Sequence, residues 1–310
     1  MLVELSAKTH VGRIRQGNED NFLVLDLSAS KAWTGTEGGE MPAELRSFEV
    51  GPNGVVVIVS DGMGGALAGD VASKLAVETV RDTLIDGFND RSGSEESPSA
   101  PLEESLRVAA EQANLTIFKQ SQSEAKYSGM GATFTGAAVT PEGVDFVQVG
   151  DSRGYVIRGG EIKLATKDQS LVQQLVDVGQ ISEQEAETHM FRNVILQALG
   201  AQADLSPASC RVALRRGDIL LLCSDGLSGK LRAEEMRELV ARADGDLAAA
   251  CELLVDEANV RGGEDNITVV LARVSGDELP APDSGGIEVE VAEFEEESTI
   301  SGEDDPTQNP

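Results

Sequence analysis

Histidine is nearly absent from this 310-residue chain, which has only His10 and His189, and cysteine is scarce, with Cys210, Cys223 and Cys251 lacking metal-like spacing. That scarcity speaks against zinc or thiolate metal sites and a disulfide framework, and points to a reducing, cytoplasmic setting. Basic residues are few: 25 Lys and Arg face 54 Asp and Glu, a formal net charge of −29. Such a field repels nucleic acid and anionic membrane, so neither is expected as a partner. No apolar run approaches the ~20 residues needed to cross a bilayer. Met1–Leu5 lacks the basic-then-apolar layout of a signal peptide, so a soluble protein, acting as a monomer, is expected. Aromatic residues make up 4%, yet 40% hydrophobic content over this length is enough for a substantial core.

What the chain does hold is a set of acidic turns. Four short segments place acids against tight turns or polar partners: Arg15-Gln16-Gly17-Asn18-Glu19-Asp20, Ser60-Asp61-Gly62-Met63-Gly64-Gly65, Ser224-Asp225-Gly226 and Gly263-Glu264-Asp265-Asn266. Asp61, Asp225 and Asp151 each end an apolar run that reads as a buried strand, over Val55–Val59, Ile219–Cys223 and Val144–Val149. Carboxylates at strand ends can converge on one edge of a sheet. Two of them ~4 Å apart at an effective dielectric of ~20 repel by roughly 4 kcal/mol, so a gathered set predicts bound cations. Oxygen-only ligands select hard ions, Mg²⁺ or Mn²⁺. A single Asp-Gly is most simply a turn; the set together is not.

These residues resemble the metal-dependent type 2C (PPM) Ser/Thr protein phosphatases, in their bacterial branch, over roughly residues 6–274. The motifs occur in the family's order: Gly12-Arg13-Ile14-Arg15 to Asn18-Glu19-Asp20; Asp61-Gly62-Met63-Gly64-Gly65 with Gly69; Gly129-Met130-Gly131-Ala132-Thr133; Val149-Gly150-Asp151-Ser152-Arg153; a segment around Arg192-Asn193; Ser224-Asp225-Gly226-Leu227; and Gly263-Glu264-Asp265-Asn266-Ile267-Thr268. The resemblance implies hydrolysis of phosphoserine and phosphothreonine in phosphorylated proteins by direct attack of a hydroxide bridging two Mg²⁺ or Mn²⁺ ions, opposite a cognate Ser/Thr protein kinase. It implies Asp61 as the ligand bridging both metals, the Gly62 carbonyl on one of them, Asp225 and Asp265 on the other, and Asp151 with Asp225 at a third. It further implies that Glu19 and Asp20 act through metal-bound waters, that Asn266 orients a water or a neighbouring carboxylate, and that Arg15 clamps the substrate phosphate. Three positions depart from the family pattern. Met63 stands where many members carry His, leaving the general acid unassigned; Gln169 and the run His189-Met190-Phe191-Arg192 alter a segment resembling a flap beside the active site.

Along the chain, helical spacing covers Ala68–Leu84, Leu102–Phe118, Leu231–Val240 and Leu247–Val260. Short β-branched runs cover Ala132–Val139, Val144–Val149, Gly154–Arg158, Val212–Cys223 and Ile267–Val274. Helix pair, strands, helix pair suggests a layered α-β-β-α body, and the resemblance implies that α+β sandwich with two central, mainly antiparallel sheets. Ser28–Gly54 and Gly87–Pro101 read as loops. Residues 1–275 form the expected phosphatase domain. From Gly276 to Pro310 there are twelve acids and no Lys or Arg, leaving −17 on the preceding residues, and a disordered acidic tail is expected. Glu295–Thr299 in that tail could serve as a docking or phosphorylation segment.

Three rival readings are weaker. Cys210 and Arg216 have the spacing of cysteine-dependent phosphatases, but the intervening residues contain no Gly and alternate like a strand, so they cannot cradle phosphate. The glycines of Gly62–Gly69 do not fit dinucleotide-binding spacing. A non-catalytic phosphoprotein-binding regulator of the same fold would not need every motif carboxylate, and all are present.

Overall fold

A computed structural model of the chain describes residues 1–35, 39–65, 68–91, 100–282 and 286–291. Two sheets stack face to face. One has the order β10 (Glu161–Leu164), β9 (Arg153–Arg158), β12 (Ile219–Cys223), β13 (Ile267–Ser275), β1 (Leu2–His10), β4 (Ser47–Glu49). The other runs β14 (Glu290–Val291), β11 (Ala208–Val212), β8 (Gly143–Val149), β7 (Phe134–Thr140), β5 (Val55–Met63), β2 (Asp20–Asp26), β3 (Lys31–Thr34), with β6 (Gly131–Ala132) paired to β5. Every pairing among these strands is antiparallel, as in β2 with β5, where Asp20 faces Asp61 and Asp26 faces Val55.

The continuous apolar runs follow from burial on both faces. In β5, Val55, Val57 and Val59 point between the sheets, where they meet Leu220, Leu222 and Val270 of the opposite sheet. Val56 and Ile58 point outward against helices α2 (Ala68–Arg91) and α3 (Leu102–Ser123), which pack there through Ala72, Ala76, Leu106 and Ala113. Leu221, Val269 and Leu271 meet α7 (Ala233–Arg242) and α8 (Leu247–Val260) in the same way through Met236, Leu239, Leu254 and Val255. Three apolar interfaces thus separate four layers, the α-β-β-α sandwich expected. Asp246 caps α8 by accepting the amides of Ala248 and Ala249 at 2.9 and 3.1 Å.

Several expectations are corrected. Ser28–Gly54 is not a plain loop: it holds β3, the short helix α1 (Ala43–Arg46) and β4, and Trp33 packs edge-on against Phe22 at 4.7 Å between ring centres. The strand expected over Val212–Cys223 is two strands. The turn between them places Asp218 in the interior, where Arg158 donates to it at 2.9 and 2.7 Å and the Arg215 amide at 2.7 Å. Two further short helices, α4 (Leu171–Asp177) and α5 (Glu183–Thr188), lie in the flap-like segment, and the intervening α6 (Asp225–Ser228) begins at a motif acid. The tail does not begin at Gly276: Leu279 and Ile287 are buried in the inter-sheet core, and β14 pairs with β11. Residues 292–310, with the segment Glu295–Thr299, lie outside the described residues, as do residues 92–99 of the expected Gly87–Pro101 loop.

Candidate metal centre

The acidic turns meet at one pole of the sandwich because each sits where a strand reaches that pole. Asp20 opens β2 and lies directly across the ladder from Asp61, which stands within β5 rather than in a turn beyond it. Asp151 follows the end of β8, Asp225 opens α6 after β12, and Asp265 and Asn266 precede β13. Two glycines allow the segments to close. A Cβ on Gly62 would collide with the Gly69 carbonyl and the Glu19 carbonyl, and one on Gly226 with the Asn266 carbonyl.

Hydroxyls hold the acids from below. Ser224 donates to Asp20 Oδ2 at 2.7 Å while accepting the Thr268 amide at 3.0 Å. Thr133 accepts the Asp61 amide at 2.9 Å and shares a 2.7 Å hydrogen bond with Ser152. Gln169, at a position that departs from the family pattern, accepts the Gly150 amide at 2.8 Å and so fixes the chain just ahead of Asp151.

The electrostatics are those of crowded like charges. Burial, then Asp20, Asp225, Asp151 and Asp265, push the Asp61 carboxyl well above the usual range. Asp20 is pushed up to about 7 by burial and its acidic neighbours, against opposing hydrogen bonds from Ser224 and Thr268. Asp151 is pushed up to about 7 by burial, Asp225 and Asp168. Asp225 is raised by burial and Asp265, opposed by the charges of Arg15 and Arg153. Carboxylates this crowded cannot all ionise together without a proton or a cation among them. Asp20 Oδ1 and Asp225 Oδ1 are buried without a hydrogen-bond partner, the kind of orphan acceptor a cation satisfies. Among the described residues no three His, Cys, Asp or Glu side chains form a ready-made ion cage. A centre of hard ions that keep several waters and take a backbone carbonyl needs none. The donor set therefore fits Mg²⁺ or Mn²⁺.

Arg15 stands half-exposed at the rim, with Nη2 donating to Asp265 Oδ2 at 2.8 Å and Nη1 3.9 Å from Glu19 Oε1. Its ion-pair partner is chiefly Asp265. Burial pushes Glu19 up, opposed by Arg15. Asn266, expected to orient a water or a neighbouring carboxylate, donates through its amide to the Val11 and Gly17 carbonyls, both at 2.9 Å, and accepts the Glu19 amide at 2.7 Å. Both donors are engaged by backbone, so it holds the Arg15 loop and, through the Glu19 amide, the backbone of a motif acid. His10, outside every motif, also enters this network, through Gly12 at 2.9 Å. The motif at Ser224 marked Asp225 and not the hydroxyl beside it, whose partners Asp20 and Thr268 come from distant segments, and no sequence signal marked His10. Cys210 is buried, its thiol donating to the Ala165 carbonyl at 3.1 Å and pushed up to about 12, which removes it as a nucleophile.

The model of the family described as "Protein phosphatase 2C" matches residues 45–255. The serine/threonine phosphatase stp of Listeria monocytogenes is 35% identical over 264 residues, 85% of this chain and 93% of that protein. A Streptococcus agalactiae serine/threonine phosphatase structure is 32% identical with a TM-score of 0.71, covering 88% of this chain and 100% of that one. The catalytic domain of the serine/threonine protein phosphatase PstP, an enzyme of Mycobacterium tuberculosis, was solved in complex with two manganese ions; it is 30% identical with a TM-score of 0.67, covering 89% of this chain and 100% of that one.

Proposed function

The chain belongs to the protein phosphatase 2C family, and from that premise we propose how its acidic pole serves a metal-dependent serine/threonine protein phosphatase. The substrates are phosphorylated proteins. Manganese or magnesium ions, when bound, supply the positive charge that lets these carboxylates ionise together and activate solvent for attack on phosphorus. Asp61, Asp225 and Asp265 would hold the ions, with the Gly62 carbonyl as a further oxygen donor, and Asp151 with Asp225 would hold a third. Glu19 and Asp20 order solvent at the centre through their carboxylate oxygens. Arg15, whose planar fork can grip two phosphate oxygens, receives the substrate phosphate at the rim. Asn266 keeps that loop in place.

The observation that carries this reading is the buried Asp61 carboxyl, across the ladder from Asp20 and raised by Asp20, Asp225, Asp151 and Asp265, beside carboxylate oxygens of Asp20 and Asp225 that lack hydrogen-bond partners. A role opposite a cognate Ser/Thr protein kinase is what the family resemblance implies for such a phosphatase. A reducing, cytoplasmic setting is supported by three buried, unpaired thiols, and the reading takes the protein to act as a monomer. Phosphate release from a phosphothreonine peptide tests it. Activity should require Mn²⁺ or Mg²⁺, vanish with chelator, and fall by at least about 100-fold in Asp61→Asn, more than residues one layer further out lose. Undiminished release in the presence of chelator would overturn it.

A further inference from the structure

His10 ends β1 at the acidic pole, and the chain leaves it through Val11 and Gly12 into the loop that carries Arg15 and Glu19. The Gly12 amide donates to His10 Nδ1 at 2.9 Å. A backbone amide can only donate, so Nδ1 must be the unprotonated nitrogen and the ring proton must sit on Nε2. The same nitrogen lies 3.3 Å from Asn259 Nδ2, which also donates to the Val255 carbonyl at 3.0 Å. Asn259 lies at the end of α8, and the chain continues from there through Gly262 and Gly263 to Asp265. The Arg13 amide bonds the Gly263 carbonyl at 2.7 Å. The ring nitrogen therefore accepts the Gly12 amide of the Arg15 loop and lies against Asn259 at the end of α8, from which the chain runs into the Asp265 loop, and the two loops meet again at the Arg15–Asp265 ion pair.

We propose that His10 is a positioning residue for substrate phosphate: its Nδ1 lone pair holds the base of the Arg15 loop through the Gly12 amide, against the end of α8 that leads into the Asp265 loop, and so fixes where the guanidinium stands. The proposal rests on the assignment of Arg15 to the substrate phosphate. His10 touches no reacting group, so it acts on binding more than on the chemical step. A side chain with an acceptor two residues before the Gly12 amide should replace it, since Asn and Asp bond the amide two residues on. A leucine cannot.

Steady-state kinetics on a phosphothreonine peptide, with saturating Mn²⁺, test this in the full chain and in His10→Leu, His10→Asn and Arg15→Ala. His10→Leu should raise KM by about 3- to 10-fold, the worth of one neutral hydrogen bond, with kcat changed less than about 2-fold. His10→Asn should bring KM back to within about 2-fold of the parent value. Loss of kcat in proportion to folded fraction with KM unmoved, or equal defects in the Leu and Asn variants, would overturn the positioning role. If Arg15→Ala leaves KM unchanged, the Arg15 assignment fails. If Arg15→Ala raises KM and His10→Leu does not, only the His10 proposal fails. Should His10→Leu not fold, His10→Gln takes its place: its amide oxygen, one methylene further out, misses the Gly12 amide, and it should raise KM by the same factor while an unchanged KM would overturn the proposal.

Discussion

Asp20 and Asp151 are both pushed up to about 7 from the usual 3.8, so the folded chain keeps protons that the unfolded chain releases. Stability from a raised carboxyl is full below the unfolded value and is lost as pH climbs through the folded value, here between about 4 and about 7. Protein stripped of metal should therefore melt at lower temperature as pH is raised from about 5 to 8, and Mn²⁺ should restore the melting temperature most at the alkaline end. A chelated sample whose melting temperature rises over that range would contradict the electrostatic picture. Cys210 offers the opposite kind of test. Its thiol lies in the inter-sheet core, so Cys210→Ser should leave the dephosphorylation rate within about 2-fold; loss of all turnover would reinstate thiol chemistry. The motif acids were legible in the sequence because an Asp closing an apolar run is visible along one stretch of chain. The contact of His10 with Asn259 and the backbone bonds of Asn266 to Val11, Gly17 and Glu19 were not, because each spans about 250 residues of sequence.

At the scale of elements, runs buried on both faces were readable and punctuated ones were not. Val55–Val59 predicted β5 because every residue in it meets an apolar layer on one side or the other. Val212–Cys223 read as one strand because the buried Asp218 and its Arg158 partner, which make the turn tolerable, do not show in hydropathy. Trp33 gave no strand signal among glycines, and β3 owes its place to pairing with β2 and to contact with Phe22. The composition beyond Gly276 concealed two anchors in the same way. Leu279 and Ile287 fill the inter-sheet core, while the Arg216 amide bonds the Pro280 carbonyl at 2.9 Å. Leu279→Ala should lower stability by about 2–5 kcal/mol, the range for emptying a buried leucine site, measured by denaturant unfolding. A change under about 0.5 kcal/mol would return this segment to the tail. It follows that cutting the chain at Ser275 tests folding and any docking role together, whereas cutting after Val291 tests docking alone.

Across the whole molecule, three apolar interfaces build a sandwich whose rigidity brings acids from the ends of five strands to one pole. Folding supplies the energy that holds them there, and cations relieve the repulsion that results. Even without the acidic residues after Ser275 the body carries −17, so phosphopeptides with basic flanks should show higher kcat/KM than those with acidic flanks, and the gap should narrow as salt is raised. A preference that ignores salt would assign selectivity to contacts instead of field. The most direct test of the central claim is calorimetric titration of Mn²⁺ into metal-free protein at pH 7, run in two buffers of different ionisation heat to count protons. The account expects saturable binding of a pair of ions with release of protons from the Asp20, Asp61, Asp151 and Asp225 group, and sharply weakened binding in Asp61→Asn. Binding without proton release, or binding indifferent to Asp61→Asn, would contradict it.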